Sequence, residues 1–395
     1  MKKKYNGVVI SDVHVGAIPI EKLYQEYKYQ FIDRIKKMKD LDYVIICGDW
    51  FDHKLFLNEK ESYYSYKMIQ DLIDVCKKDI KIRFVYGTES HECNQYDIIS
   101  TITRVDIKVI KYVEEEELFP DLHILYVPEE HILDKKEYYK KYFNNEKKYD
   151  YVFGHGIIRE GMREAAVKND NQGSKRKKVP VFSTAELRKI CKGQVFFGHY
   201  HVNTDLDDVF YVGSFTRWEF GQEEPKGFYE INCDIEKEKY KEKFIENTMA
   251  EIFQTISYGY QNPVFQNVDS MEKKLNEIDK LIDTKAFDNI RFQFNIPSDC
   301  ENPEFIMNYI KERYKFKENI KVNFTHGYIE EKRKHEKEEL KKENDKYAFI
   351  FDKNMPFENK TAYFINIEYN REIPVERVSC YLYQPLNEIL TSEGE

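Results

Sequence analysis

Val8-Val9-Ile10-Ser11-Asp12-Val13-His14 reads as a buried strand that ends in two metal-binding side chains, and the same figure recurs four more times along the chain. Gly48-Asp49-Trp50-Phe51-Asp52 follows Val44-Ile45-Ile46, and Ser90-His91-Glu92 follows Ile82-Arg83-Phe84-Val85. Gly154-His155-Gly156 follows Tyr151-Val152-Phe153, and Gly198-His199-Tyr200-His201 follows Val195-Phe196-Phe197. Short β-branched or aromatic runs of this kind favour extended backbone. The chemistry-bearing residues therefore fall at the carboxyl ends of neighbouring strands, where open α/β sheets place their sites.

Between these strands lie helical stretches at Glu21 to Lys39, Glu59 to Lys77 and Ser183 to Cys191. Such alternation predicts a layered α/β domain over residues 1–240. Asp234 to Lys243 is a charge-dense connector, expected as a strand end or a short helix. Beyond it a second unit, 246–328, shows the order β-α-β-α-β: a strand near Glu251 to Tyr258, a helix near Met271 to Ile282, a strand at Ile290 to Ile296, a helix at Pro303 to Tyr314 and a strand at Ile320 to Phe324. That order fits a small α+β module. The remainder, 329–395, opens with the charged run Glu330 to Lys346, suited to a solvated helix. It closes with an amphipathic helical tail, Val375 to Leu390, whose apolar positions share one face. That face either packs back on its own module or docks on a partner.

At 395 residues and 41% hydrophobic, the chain can build a large core and a smaller one. No apolar run approaches the length of a membrane span, and the start lacks the apolar stretch of a signal peptide, so a cytoplasmic protein without membrane attachment is expected. Seven cysteines without C-x-x-C spacing argue against a disulfide framework and a zinc ribbon. Cys47, inside a strand, reads as a small buried hydrophobe. A net charge of −9 argues against a broad basic face that holds nucleic acid unaided, but it leaves room for a local basic track or a DNA-binding partner.

A carboxylate between two cations can bridge them, and Asp49, after the tight turn at Gly48, is the natural bridge. On an extended segment Asp12 and His14 point the same way and can bind one ion. His199 and His201 repeat that spacing, and His155 adds a further imidazole. Mixed oxygen and imidazole donors suit Mn, Fe or Zn better than Ca, and the lack of thiolates disfavours structural zinc. Two such ions about 4 Å apart can clamp a phosphodiester and ionise the attacking water, so the reaction class is phosphoester hydrolysis. A lone histidine is more often a surface or satisfied core residue, the reading applied to His123, His131, His326 and His335. Five ordered motifs holding five of the ten histidines are a different matter. Trp50 and Phe51 are expected beneath the site, and alternation turns Tyr200 away from the face of its two flanking histidines.

The ordered set resembles the calcineurin-like metallophosphoesterase superfamily, whose pattern is D-x-H, G-D-x-x-D, G-N-H-D/E, H, then G-H-x-H. Within it, Gly213-Ser214, Phe220-Gly221-Gln222 and Lys226-Gly227-Phe228 are similar to the closing motifs of SbcD-type DNA repair and recombination nucleases, including phage-type members. The resemblance implies a metallophosphoesterase β-sandwich flanked by helices, followed by a small capping domain. It implies two divalent ions, Mn2+ foremost with Mg2+, Fe2+ or Zn2+ as alternatives. It further implies DNA as substrate, an SMC-like ATPase of the SbcC type as partner, and a homodimer.

Carried over by position, the resemblance makes Asp12, His14, Asp49 and His201 ligands of the first metal, with Asp49, His155 and His199 on the second. His91 would stabilise the transition state or protonate the leaving oxygen, and Asp52 would orient His91 through a carboxylate–imidazole hydrogen bond. Gly87-Thr88-Glu89-Ser90-His91 departs from G-N-H, with Ser90 standing where an asparagine ligand is expected and Glu89 or Glu92 as possible help. His53 either touches DNA or is a surface histidine, and Lys175-Arg176-Lys177-Lys178 is either a phosphate track or a solvated charge run. A stand-alone phosphatase or small-molecule phosphodiesterase, and a scaffold that has lost its metals, are the competing classes. The C-terminal third and the nearly complete ligand set weigh against them.

Overall fold

Tyr43-Val44-Ile45-Ile46-Cys47 is buried on both faces, as a strand at the centre of a two-sided layer must be. In the computed structural model it forms β2 (Tyr43–Cys47) of a six-stranded mixed sheet ordered β14 (Lys239–Glu246), β13 (Gly227–Asp234), β1 (Lys4–Ile10), β2, β3 (Lys81–Val85) and β4 (Asp106–Ile110). The structure describes residues 3–97, 99–102, 104–143, 149–161, 178–258, 268–284, 287–296, 302–325, 348–352, 355–369 and 372–378. β1 through β4 run parallel; β13 pairs antiparallel with β1, and β14 antiparallel with β13 closes the sheet. A second six-stranded sheet has the order β11 (Thr204–Asp205), β12 (Val209–Tyr211), β10 (Cys191–Gly198), β7 (Tyr149–His155), β6 (Leu122–Val127) and β5 (Glu114–Phe119). Its inner strands β12, β10, β7 and β6 are parallel.

Alternation along the strands assigns their side chains to layers. Val8 and Ile10 of β1 join Val44, Ile46, Ile82 and Phe84 in a core with Leu23, Tyr27, Phe31, Ile69 and Leu72, which come from the helical stretch beginning at Ile20–Glu26 and from helix Lys60–Val75. Val9, between them, faces the other way and packs with Ile45, Tyr126, Phe153 and Phe196 in the core shared by the two sheets. Val152, Val195 and Phe197 face outward to Leu187 and Ile190 of helix Thr184–Ile190. The result is a helix–sheet–sheet–helix arrangement, each fully buried side chain contributing about 1.5–3 kcal/mol of transfer free energy. Ser183 starts the last helix through a reciprocal capping box with Glu186. At the edge of the sandwich the buried Arg83 binds both Asp106 and Glu116, tying β4 to β5.

The connector expected at Asp234 to Lys243 is a β-hairpin: β13 and β14 pair along their whole length from Gly227–Glu246 to Asp234–Lys239. The first compact unit consequently runs to Thr255 and includes Thr284–Arg291. The second unit holds Ile256–Asp283 and everything from Phe292 onward. A three-stranded sheet, ordered β15 (Phe253–Tyr258), β16 (Asn289–Asn295), β17 (Ile320–Thr325), goes with helices Val268–Asp283 and Pro303–Tyr314. These elements match the order read from the sequence, with ends shifted by a few residues. Between the two helices Arg313 pairs with Asp279, and Phe292 of the sheet packs its ring on Tyr314 at 5.9 Å. The charged run Glu330 to Lys346 lies outside the described residues, as does the tail helix beyond its first turn, Val375–Val378. A short ribbon of β8 (Ile157–Ile158) and β9 (Val181–Phe182) completes the first unit. Among the described residues no helix is long and apolar enough to cross a membrane.

Candidate metal centre

Six parallel strands, three from each sheet, deliver their carboxyl ends to one place. β1 leads into Asp12 and His14, β2 into Asp49, β3 into Thr88, β6 into Glu129, β7 ends on His155, and β10 leads into His199 and His201. The two sheets can converge there only because glycine lines the contact. At Gly48 (φ +82°) a Cβ would lie 2.2 Å from the His155 ring, and at Gly198 it would lie 2.1 Å from the Ser11 hydroxyl. Beneath the turn Trp50 is fully buried, its indole N–H donating to Ser65, and Phe51 is buried beside it.

The donors fall into four groups. Asp12, His14 and His201 form one half and Glu129, His155 and His199 the other; Asp12, Asp49 and His155 link them, and His14, Asp52 and His91 adjoin the first. Asp49 Oδ2 lies 3.9 Å from His14 Nε2 and 3.2 Å from His155 Nε2, between the halves. In the first half His14 Nε2 is 3.8 Å, and His201 Nε2 3.7 Å, from Asp12 Oδ1. His14 Nε2 is buried and makes no hydrogen bond to any described residue. An imidazole nitrogen left so, amid carboxylates, fits a cation better than a closed protein network. In the second half His155 Nδ1–H donates to the Cys47 carbonyl at 2.8 Å, which turns Nε2 into the cluster. These buried His, Asp and Glu groups could hold a metal ion.

The electrostatics fit cation binding. Burial alone would raise the Asp12 carboxyl, but the neighbouring His14, His155 and His201 imidazoles outweigh it and hold it well below the usual range. Burial likewise opposes charge on His14 and His155, yet the surrounding carboxylates prevail and raise them to about 9 and about 10. His201 goes the other way, down to about 4, because burial dominates there.

The route by which the candidate donors converge differs from simple strand alternation. Asp12, His14, Asp49 and His199 have φ of +50°, +49°, +48° and +94°, so left-handed turns rather than extended backbone aim them. Hydrogen bonds from the amides of Asp12 and His14 to the carbonyls of Gly48 and Asp49 fix those turns. The pair His199 and His201 divides between the two halves, the first facing Glu129 and the second Asp12. Tyr200, between them, packs its ring at a tilt against Tyr211, 5.5 Å away.

Two expected contacts are corrected. Ser90 sits exposed within the short helix Glu89–Glu92, and its hydroxyl makes no hydrogen bond to a donor of the centre among the described residues. Thr88, at the start of that helix, stands there instead, its hydroxyl 3.2 Å from Asp49 Oδ2, 3.4 Å from Glu129 Oε2 and 3.5 Å from His155 Nε2. Its amide donates to the other Asp49 oxygen at 2.7 Å. Asp52 orients His91 through its main-chain carbonyl, which accepts from His91 Nδ1, and not through its carboxylate. The Asp52 carboxylate faces His14 Nδ1 at 3.2 Å and His53 Nδ1 at 3.0 Å, and the His14 contact holds it down at about 2. Neither Glu89 nor Glu92 joins the donor groups. Glu89 is exposed, while Glu92 is buried behind Asp49, bonded to Trp50 N and Tyr96 OH, and is pushed up to about 8 by burial.

The remaining candidates lie further out. His53 is about half exposed at the mouth of the site. Lys178 is exposed and pairs through its backbone with Ile132, and Lys175, Arg176 and Lys177 lie outside the described residues. His123 and His131 are exposed, as surface histidines should be, whereas His326 and His335 lie outside the described residues.

Sequence reasoning gave no role in the site to the residues that brace the first half, and it missed one beside the second. The Trp218 ring packs 4.7 Å from both His14 and His201, Gln222 Nε2 lies 3.4 Å from His201 Nδ1, and the buried Lys226 donates to the His201 carbonyl at 2.7 Å. Glu129 is buried with Oε2 3.0 Å from His199 Nδ1. Its signal was the run Leu122-His123-Ile124-Leu125-Tyr126-Val127, another strand ending in a carboxylate. Beside Glu129 opens a cavity of about 760 Å³ bordered by Tyr86, Lys111, Tyr112 and Tyr138. Neither a known family nor a curated protein matches the chain in comparison.

Proposed function

We propose that this chain is a two-metal phosphodiesterase acting on DNA, the nuclease subunit of a repair or recombination assembly driven by an SMC-like ATPase. The observation that carries the reading is the shared carboxylate: Asp49 Oδ2 lies within 4 Å of metal-facing imidazole nitrogens from both halves. Asp12, His14, Asp49 and His201 would hold one divalent cation and Asp49, His155 and His199 the other, Mn2+ foremost. When bound, such a pair supplies Lewis-acid polarisation of a phosphoryl oxygen and ionises the attacking water near neutral pH.

The chain's own residues set the geometry. Asp49, with one oxygen held by the Thr88 amide, is prevented from swinging toward either half. His91 donates Nδ1–H to the Asp52 carbonyl, which leaves Nε2 to stabilise or protonate the oxygen of a departing nucleotide. The helix–sheet–sheet–helix layering and the ligand order support the metallophosphoesterase reading, and the Gly213 to Phe228 segment, which braces His201, supports its SbcD-type branch. The homodimer and the docking of the tail on the ATPase belong to the same proposal.

Hydrolysis of linear duplex DNA, compared with that of a generic phosphodiester in Mn2+ and Mg2+, with and without a co-purified ATPase, tests it. DNA cleavage stimulated by the ATPase supports the nuclease. Efficient turnover of the small diester with no action on DNA would favour a stand-alone phosphodiesterase.

A further inference from the structure

We propose that Glu129 is itself a ligand of the second half of the centre, which gives that half two carboxylates, two imidazoles and a threonine hydroxyl as donors. The inference rests on the reading of these residues as a dinuclear metal site, and it extends that site to a sixth strand end.

A carboxylate next to a ligating histidine can play either of two parts. It can sit behind the ring and accept from the nitrogen turned away from the metal, or it can stand in front and bind the metal itself. His155 distinguishes them. Its Nδ1–H is committed to the Cys47 carbonyl at 2.8 Å, so Nε2 is the nitrogen that faces the cluster. Glu129 Oε2 lies 3.9 Å from that Nε2, on its open side. The same oxygen is 3.4 Å from the Thr88 hydroxyl, which in turn is 3.2 Å from the shared Asp49 Oδ2 and 3.5 Å from His155 Nε2. At 3.0 Å from His199 Nδ1, Oε2 closes a ring of donors around one space. Separations of this order between donor atoms are those that a shared cation at about 2.0–2.2 Å from each would impose. A carboxylate held behind His199 alone would have no cause to approach His155 and Thr88.

Charge agrees with the geometry. Asp12, Asp49 and Glu129 bring three negative charges to two divalent cations, leaving one positive charge to meet a phosphodiester of charge minus one. Without Glu129 the second half would rely on the shared Asp49 for all its negative charge. A site with this much carboxylate oxygen favours Mn2+ and Mg2+ over softer ions.

The test uses the full chain and Mn2+ alone, with uptake measured by equilibrium dialysis and by the Mn2+ spin-resonance spectrum. Wild type is expected to take up two equivalents and show the signal of a coupled pair. Glu129→Gln, which keeps the shape and one acceptor oxygen, should take up one equivalent under the same conditions and show an isolated ion, its second affinity lowered by more than about a hundredfold. Loss of an outer supporting group costs about 10–100-fold, so a smaller loss would assign Glu129 to the supporting shell and overturn the proposal. Ser90→Ala, exposed and outside the centre, should keep both equivalents. If wild type itself takes up no Mn2+, the metal-centre reading fails, an outcome distinct from failure at Glu129. Glu129→Ala and a thermal melt of each variant separate lost donors from lost folding: a variant that melts like wild type yet has lost the second ion supports the ligand role.

Discussion

The two halves of the centre are built differently. The first, Asp12, His14 and His201, draws on one strand end from each sheet, and it is braced by the Trp218 ring, the Gln222 amide and the Lys226 ammonium. The second, Asp49, Thr88, Glu129, His155 and His199, draws on five strand ends, no two of its donors from the same one. A half encoded in short motifs can be supported by nearby chain. A half assembled across the sandwich depends on the register of every strand that reaches it, and its donors are correspondingly single and irreplaceable.

The most severe way to probe that contrast is to remove what both halves share. Asp49→Asn should abolish turnover and weaken metal uptake in both halves while leaving the melting temperature close to wild type. Retained metal-dependent cleavage in that variant would sink the two-metal reading. His91→Ala comes next and should spare both halves: metals stay bound, and turnover drops by roughly two to four orders of magnitude. Metal loss measured in the same variant would make His91 a ligand.

Asp52 separates the halves. Its carboxylate supports His14 while its carbonyl holds His91, so Asp52→Ala should weaken the first ion by about 10–100-fold and leave the His91 geometry in place. An equal loss at both ions, seen by metal titration, would break the distinction. Protons compete with metal in both halves, through His14 at about 9 and His155 at about 10. Each must lose its proton to bind, so affinity should rise with pH up to those values and fall by about tenfold per unit, per proton released, as pH drops from 8 to 6. Isothermal titration in buffers of different ionisation enthalpy would count the protons. The smallest effect is expected at Thr88: Thr88→Val should weaken only the second ion, by about tenfold, the scale of one hydrogen bond, and Ser90→Ala should change nothing measurable.

Much of this was legible in the sequence because strand ends and short motifs are local. Asp12, Asp49, His155, His199 and His201 stand at the strand ends to which the runs preceding them point, and the helix expected at Pro303 to Tyr314 is present. What escaped reading is non-local. Whether Thr88 or Ser90 faces Asp49 is decided where the short helix begins: a start at Glu89 leaves Thr88 on the inward turn and carries Ser90 outward. Glu129 becomes visible only once β6 is known to lie beside β7. The charged connector at Asp234 to Lys243 hid a hairpin because its exposed, alternating Glu and Lys residues resemble a solvated helix. Left-handed backbone at four candidate donors overrode the alternation that the motifs suggested.

That left-handed backbone sets fitness for function against resistance to heat. An L-residue in this region costs about 1–2 kcal/mol, a burden that aspartate bears more easily than histidine and glycine hardly at all. His14 at +49° and His199 at +94° therefore sit where almost any other choice of fold-stabilising residue would be glycine. Glycine at either position would relieve the backbone but forfeit the imidazole, and at the buried His14 it would also leave a cavity among His91, His201 and Trp218. An engineer seeking a hardier version of this protein would have to screen every round for metal uptake as well as for melting temperature.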